Sequence, residues 1–407
     1  MRCHLLYIVA ALVSAPVLAG EELTADGLPD AATVATALDE HPTVVAARAR
    51  TEAARAEAQA LGAGPHEFTM TGSYTRRTVD REGQFNEFDV LVTRPVRLPG
   101  KASLDKEIGR YGVEAAENRA EDAKHQAALL LSQYWWDWVG AAAEAAVDRE
   151  LVKNNERLVL TAQRRAALGD ASRLEVDQAE AALGAARLTA SQSAGREQVA
   201  RARLAAQFPS LPLPEVAPVV PSPILPAGGL EQFRDLIVSN SHEVAAAEAE
   251  ANRSHSVAER VRRDRIADPS IGFRAFSERG GMERGGGLVV TMPFGGSHRS
   301  ALADRAAAES SAADAELQAT RYAILETADA DLAEAEYRYS AWQRSREGLA
   351  AQVAALTKMR RGYEAGEVEL TDLLFAERQV GDAFRAEATA RVEAQRALTK
   401  LRIDSHE

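Results

Sequence analysis

Two long stretches of the chain carry apolar residues at the spacing of one helix face, i, i+3, i+4 and i+7, with Ala, Glu, Arg and Gln between them. They cover residues 101–168 and 297–365, and no proline interrupts either one. Each predicts a helix of roughly 70 residues, on the order of 100 Å long at ~1.5 Å per residue. Because such a helix has no globular core to bury in, we expect it to pack along parallel partners as a coiled coil.

A shorter helix is predicted to follow each long one and to run back along it. Gly169 and Gly366 lie at the two junctions, where glycine favours the left-handed conformation that ends a helix. We therefore predict a turn, called a tip below, at each of these glycines. The return helices are predicted over 171–207 and 367–403.

Period-two alternation predicts four strands in two pairs. The first pair lies at about residues 67–77 and 85–94, and the second at about 270–278 and 286–293. In the first strand, Phe, Met, Gly and Tyr alternate with Thr and Ser. Alternation over roughly ten residues is typical of a membrane strand with one face toward lipid and the other toward a polar lumen. A soluble hairpin alternates in the same way, so the pattern alone leaves both environments open.

The two halves of the chain repeat one another. Arg361 and Gly366 lie 197 residues after Arg164 and Gly169, respectively. The segments TRPVRLPGK and TMPFGGSHR occupy the same strand-to-helix junction in the two halves. These correspondences indicate a tandem duplication of about 200 residues.

The N-terminal residues have the pattern of a cleaved signal peptide, with a basic residue, a short apolar run and small residues at its end. We predict cleavage after Ala19, with Gly20 as the alternative. The domain organisation is then a signal peptide over 1–19, a first repeat over 20–208, a Pro-rich connector over 209–229 and a second repeat over 230–407. The protein is predicted to be exported.

Composition and motifs argue against several classes of function. The formal net charge of −12 becomes 47 − 60 = −13 once Arg2 leaves with the signal peptide, and an acidic surface argues against a nucleic-acid partner. The only cysteine, Cys3, leaves as well, and the histidines have no ligand spacing, so no metal site is predicted. No phosphate-binding glycine loop or nucleophile motif is present, so we predict neither a cofactor nor an enzymatic activity.

Four strands are too few to close a sheet, and an open edge in lipid costs several kcal/mol for each unpaired group. Three chains would supply 3 × 4 = 12 strands, an even number within the range of outer-membrane barrels. The predicted fold class is mainly α with membrane β. It is a tandem-repeat protomer of very long helices and four strands, which trimerises into a 12-stranded β-barrel continued by a periplasmic α-helical barrel.

Several of these features together resemble the TolC-type outer-membrane channels, also called outer membrane factors. They are the signal peptide, the twofold repeat, the paired strands, T-x-P-x-x-x-x-G-K at a strand-to-helix junction and R-x-x-x-x-G at a helix hairpin. The compact length and the TRPVRLPGK form of the junction look most similar to the CzcC-like branch, which serves heavy-metal efflux. The resemblance implies a homotrimer in the lipid of the cell outer membrane with a large periplasmic portion. It also implies an inner-membrane resistance–nodulation–division (RND) pump and a periplasmic membrane-fusion adaptor as partners.

The resemblance also implies roles for particular residues. Asp372 falls where an acidic residue constricts the pore, and Phe375 stands where a second acid can occur. The residues assigned to the periplasmic tips and adaptor docking are Arg164, Gly169, Arg361, Tyr363 and Gly366. The residues assigned to the strand-to-helix junctions are Pro95, Gly100, Pro293 and Gly296.

The sequence leaves three alternatives open, which concern the role of Asp372, the cargo and the class of protein. Asp372 is equally consistent with a solvated carboxylate on a helix face. The same channel could serve multidrug efflux or type I secretion, because a duct need not recognise its cargo. From another class, a soluble periplasmic coiled-coil adaptor or scaffold accounts for the helices but not for two alternating hairpins at equivalent places.

Overall fold

A computed structural model describes residues 27–406, so the predicted signal peptide lies outside the described residues. Long helices dominate, and four antiparallel strands form one sheet, which confirms the predicted combination of long helices and four strands. The helices are α1 (Ala31–Asp39), α2 (Pro42–Ala63), α3 (Lys101–Leu168), α4 (Arg173–Gln207), α5 (Glu231–Asn240), α6 (His242–Arg263), α7 (Ser297–Glu364) and α8 (Leu370–Ser405). The strands are β1 (Thr69–Val79), β2 (Gly83–Pro95), β3 (Ser270–Glu278) and β4 (Glu283–Thr291).

The sheet has the order β1-β2-β3-β4, and every neighbouring pair is antiparallel. Two tight hairpins therefore lie side by side, one from each half of the chain. The β1–β2 turn includes Arg81 in the left-handed region at φ 67°, and the β3–β4 turn is a short 3₁₀ segment with Gly280 at φ 64°. These compact turns let pairing extend to Val79↔Gly83 and Glu278↔Glu283.

Some element boundaries differ from the predicted ones for local reasons. β4 begins at Glu283, ahead of the predicted residue 286, because the glycines that follow adopt the extended conformation and pair with β3. α8 begins at Leu370, after the predicted residue 367, because the turn beyond Gly366 uses the intervening residues. Among residues 27–406, no helix is long and apolar enough to cross a membrane.

The described residues form two compact units, and neither unit coincides with a sequence repeat. The first unit comprises residues 27–37, 134–223 and 341–393, and the second comprises residues 38–133, 224–340 and 394–406. Each unit thus combines segments from both halves of the chain. The repeated segments pack against each other and share their cores.

Each unit has its own apolar core. In the first unit, α3, α4, α7 and α8 bury small and branched side chains around Ala162, Ala179, Tyr363 and Leu373. The first unit also buries Trp135, whose Nε1–H donates to the Gly27 carbonyl at 3.0 Å. In the second unit, α5, α7 and α8 bury a cluster of residues, namely Leu230, Phe233, Ile237, Ala328, Ala335, Ala397, Leu398 and Leu401.

Candidate functional site

The register of the sheet gathers apolar side chains on one face. Residues that pair across neighbouring strands point to the same side of a sheet. One such row crosses all four strands and consists of Met70, Val92, Phe273 and Leu288. The middle of the same face carries these further residues: Gly72, Tyr74, Phe88, Val90, Ile271, Ala275, Gly286 and Val290. Polar residues on this face lie toward the ends of the strands, among them Arg76, Asn86, Arg94, Ser277 and Arg284. Leu288 is 83% exposed and Met70 74% exposed. A continuous apolar face is therefore uncovered on all four strands.

The opposite face of the sheet is mostly polar. Thr and Ser residues of β1 share it with Asp89 and Glu87 of β2 and with Arg274 of β3. The Arg274 Nε lies 2.5 Å from an Asp89 carboxylate oxygen, and an Arg77 guanidinium nitrogen lies 2.8 Å from Glu87. The two faces thus have opposite character, as expected of a strand with lipid on one side and water on the other.

Both outer edges of the sheet lack a neighbouring strand within residues 27–406. β1 pairs only with β2, and β4 pairs only with β3. Each of these edges presents unpaired N–H and C=O groups, which template pairing with another chain. The sheet is therefore open, with an unpaired edge at β1 and another at β4.

The strand-to-helix junctions of the two repeats converge on one segment between α6 and β3. Lys101, the first residue of α3, is 1% exposed, and its ammonium lies 2.8 Å from Asp264 and 2.9 Å from Asp268. It also donates to the Ile266 carbonyl at 2.8 Å. From the other repeat, the Arg299 guanidinium of α7 donates to the Asp264 carbonyl at 2.7 Å.

The charges at this junction shift the pKa values of its carboxyl groups. Burial pushes the pKa of Asp268 upward, but the Lys101 ammonium and the Leu98 N–H outweigh it and hold the pKa below its ordinary value. Burial likewise acts upward on the pKa of Asp264, and Arg260 together with Lys101 brings that pKa below its ordinary value. Both groups are therefore charged partners of Lys101 at neutral pH.

The four residues assigned to the junctions lie where strands become helices. Pro95 is the last residue of β2 and pairs with Ser270, and Gly100 has φ 83° directly before α3. Pro293 and Gly296 lie between β4 and α7, and the Gly296 carbonyl accepts from the Arg299 N–H at 3.1 Å.

Both tips end their long helix with the same hydrogen-bonded motif. At the first tip, the Gly169 N–H donates to Ala166 at 3.1 Å and the Asp170 N–H donates to Arg165 at 2.9 Å. At the second, the Gly366 N–H donates to Tyr363 at 3.1 Å and the next N–H donates to the Gly362 carbonyl at 2.8 Å. This is the Schellman pattern, which requires a left-handed residue, and the glycines have φ 80° and 78°.

The two tips contact each other through Tyr363. Its ring is 4% exposed, and the Arg165 guanidinium lies 4.5 Å from the ring centroid. Arg165 also donates to the Asp170 carbonyl at 3.3 Å. In the second tip, Arg360 forms two hydrogen bonds to the buried Glu377 carboxylate, at 2.6 and 2.9 Å.

The arginines selected from the sequence, Arg164 and Arg361, are both exposed, and neither forms an ion pair with any residue in the part of the chain that the structure describes. The arginines that make contacts at the tips are their neighbours: Arg165 lies over the Tyr363 ring, and Arg360 forms an ion pair with Glu377. These two arginines could not be selected from the sequence, because adjacent helix positions differ by about 100° in direction and only the packing of the hairpins shows which one faces inward.

Asp372 and Phe375 lie on the exposed side of the first turns of α8. Asp372 is exposed and makes no hydrogen bond or ion pair within residues 27–406, and Phe375 is 63% exposed. The equivalent of Asp372 in the first repeat, Glu175, completes a capping box with Ser172 at the start of α4. The two repeats therefore use the same acidic position differently. Among residues 27–406, no group of three His, Cys, Asp or Glu residues is arranged to hold a metal ion.

The arrangement of long helices and a four-stranded sheet is the fold of solved outer-membrane channels. The chain is similar to the outer membrane protein VceC from Vibrio cholerae, with 16% identity and a TM-score of 0.76 over 92% of this chain and 95% of that chain. It is also similar to the Campylobacter jejuni CmeC outer membrane channel, with 14% identity and a TM-score of 0.71 over 92% of this chain and 84% of that chain. A third similar structure is the open state of the Neisseria gonorrhoeae MtrE outer membrane channel, with 16% identity and a TM-score of 0.70 over 98% of this chain and 97% of that chain.

The sequence itself also matches a protein family over part of its length. Residues 33–207 match the family described as outer membrane efflux protein, OEP. The matched region contains most of α1 and all of α2, α3, α4, β1 and β2, so it includes one complete strand pair and one complete helix hairpin. No curated protein matches the chain.

Proposed function

We propose that this protein is the outer-membrane exit channel of a tripartite efflux system. It acts as a passive duct without enzymatic activity, forms a homotrimer, and has its long helices in the periplasm. Its partners are a periplasmic membrane-fusion adaptor and an inner-membrane RND pump. The observation that carries this proposal is the open four-stranded sheet with one uncovered apolar face and two unpaired edges.

The stability of that sheet depends on its environment. An uncovered apolar face across four strands is costly in water, since apolar surface costs about 25 cal/mol per Å² exposed. In lipid the same face is stable, but the unpaired edges of β1 and β4 then become costly. Three chains joined edge to edge solve both problems with a closed barrel of 3 × 4 = 12 strands. A soluble periplasmic adaptor would leave the apolar face unexplained.

We propose that the tips form the gate of this duct and the docking surface for the adaptor. In a trimer, three copies of Asp372 would converge near one axis and concentrate negative potential where cations pass. An acid is also favourable at the N-terminus of a helix such as α8. The exposed Asp372 side chain, free of partners within residues 27–406, supports the pore role because nothing in the protomer engages it. Phe375 would add an apolar ring one turn further along.

We propose heavy-metal cations as the cargo, on the strength of the likeness of TRPVRLPGK to the CzcC-like junction and of an acidic constriction. The test is a deletion strain compared with its parent for growth on metal salts, on organic drugs and for peptide export. Increased sensitivity to metal salts alone supports the proposal. Sensitivity to drugs alone, or loss of peptide export alone, assigns the same channel to multidrug efflux or type I secretion.

The channel function itself is tested with the purified full-length protein in planar bilayers. We expect detergent-stable trimers in the outer-membrane fraction and a small ion conductance that rises when Asp372→Asn neutralises the constriction. Asp177→Asn, which removes an exposed carboxylate from α4 in the other hairpin, should leave the conductance unchanged. A monomer in the soluble periplasmic fraction would contradict the proposal.

A further inference from the structure

Four helices of the second unit bring ionisable side chains together around the end of α8. This group is called the C-terminal cluster below. Its members are Asp122 and His125 of α3, His242 and Glu243 of α6, Asp331 of α7, Lys400 and Asp404 of α8, and His406 just beyond α8. Both halves of the chain contribute to the cluster, and residues as distant as His125 and Asp404 meet in it.

A continuous chain of ion pairs runs through the buried part of the cluster. The His125 Nε2 lies 2.9 Å from Asp404, and the side chains of both residues are buried. The other Asp404 oxygen accepts from the Lys400 ammonium at 2.9 Å, and Lys400 also donates to Asp331. These contacts join α3, α8 and α7, so they tie the C-terminal end of α8 to its neighbours.

The cluster holds more carboxylates than the cations can neutralise. One Asp331 oxygen, Oδ2, is buried and has no hydrogen-bond partner in the described part of the chain, so no donor stabilises a negative charge on that oxygen. Burial and the Asp404 carboxylate, opposed by Lys400, raise the pKa of Asp331 to about 7. Burial pushes the pKa of His125 downward, but Asp404 outweighs it and the pKa lies above its ordinary value.

The histidine rings extend the cluster to the end of the chain. The His406 ring centroid lies 5.0 Å from that of His125 and 4.8 Å from that of His242. Partial burial, together with the charges of these two neighbours, lowers the pKa of His406. Asn240 donates to the Ser405 carbonyl at 3.3 Å and further fixes the chain end.

We propose that the C-terminal cluster is a pH-operated clasp, which holds the end of α8 against α3, α6 and α7 while Asp331 and His125 carry protons and loosens when they lose them. This regulatory role goes beyond the proposed channel function and does not depend on it. Two further cations in this region are engaged elsewhere, Lys124 with Asp39 and Arg234 with Asp329. Arg396 of α8 lies beside Lys400, and both side chains line one cavity.

The sign of the pH effect follows from the directions of the pKa shifts. A group whose pKa is higher in the closed state stabilises that state below its ordinary pKa and loses this effect as the pH rises through the raised value. For Asp331 the loss runs from about pH 4 to about 7, and for His125 it continues above its ordinary range. Asp404 has a lowered pKa, so its contribution is lost only in strong acid. The lowered pKa of His406 acts in the opposite direction, because its contribution is present above its ordinary pKa and is lost as the pH falls, so the net effect is set by Asp331 and His125 against His406. Asp122 and Glu243 face His125 as additional acids, and burial raises the pKa of Asp122.

Hydrogen–deuterium exchange of the full-length protein in detergent tests the clasp. The observed rates are divided by the intrinsic chemical rates at each pH. For residues 398–406 we expect the normalised exchange to increase by up to roughly 100-fold between pH 5 and pH 8, the change given by a group whose pKa moves from about 4 in the open state to about 7 in the closed state. Residues 370–380, at the other end of α8, contain no member of the cluster and should not change.

Two variants separate the clasp from general pH effects. Asp331→Asn keeps the shape of the protonated carboxyl but cannot ionise, so most of the increase at residues 398–406 should disappear. Glu326→Gln removes an exposed carboxylate from the same helix and should keep the wild-type increase. Equal increases in wild type and Asp331→Asn would overturn the clasp. If Asp331→Asn fails to fold, the test rests on the wild-type protein. A normalised exchange rate at residues 398–406 that stays constant between pH 5 and pH 8 would then overturn the proposal.

Discussion

At the first tip, two adjacent arginines occupy different environments. The Arg165 guanidinium lies over the buried Tyr363 ring, whereas Arg164 is exposed. Because a partly desolvated cation–π contact is worth about 0.5–2 kcal/mol, we expect Arg165→Gln to lower the stability of the solubilised protein by that amount. Arg164→Gln should change it by less than about 0.5 kcal/mol. Thermal unfolding of the two variants measures the difference, and equal effects would show that the contact with Tyr363 contributes nothing.

The tip glycines offer a second comparison at the residue scale. Gly366 has φ 78° with open space around it, so a methyl group there meets a conformational penalty and not a clash. We expect Gly366→Ala to destabilise the protein by about 1–2 kcal/mol. Gly184, in the interior of α4, also has open space, and Gly184→Ala should stabilise by about 0.5–1 kcal/mol. Denaturation midpoints that move in the same direction for both variants would contradict this explanation.

At the scale of elements, the start of α3 depends on one buried lysine. Removing the Lys101 ammonium leaves Asp268 without its main partner and Asp264 with Arg260 alone. Breaking a fully buried ion pair from one side costs about 3–5 kcal/mol, and the partial exposure of both carboxylates lowers that cost here, so Lys101→Met should lower the unfolding temperature measurably. Lys106→Met, on an exposed position of the same helix, provides the matched control and should be nearly neutral. A small effect of Lys101→Met would indicate that water replaces the ammonium.

The elements themselves could be predicted from the sequence because their signals are local. Gly169 and Gly366 end helices through their own backbone freedom, and the alternation in β1 reflects the geometry of a single strand. The contacts at the tips and in the C-terminal cluster could not be predicted in the same way. His125 and Asp404 meet only because two helices pack together, and no spacing along the chain indicates it.

At the scale of the whole molecule, the two faces of the sheet decide where the protein resides. Leu288 and Val289 are neighbours in β4, yet the register places Leu288 on the apolar face and Val289 on the polar face. If the apolar face contacts lipid, Leu288→Arg adds a cost of about 2–4 kcal/mol per protomer in the middle of the bilayer, three times over in a trimer. Val289→Arg places the same charge toward the polar side, where water can solvate it.

We therefore expect Leu288→Arg to reduce the amount of trimer in the outer-membrane fraction severalfold, while Val289→Arg assembles nearly as well as wild type. Fractionation followed by gel electrophoresis without boiling measures both the location and the trimer. Since both substitutions introduce the same arginine at adjacent positions of one strand, a large difference between them reports on the face of the sheet. If both variants assemble normally, the apolar face does not meet lipid, and the uncovered surface must instead be buried against another protein.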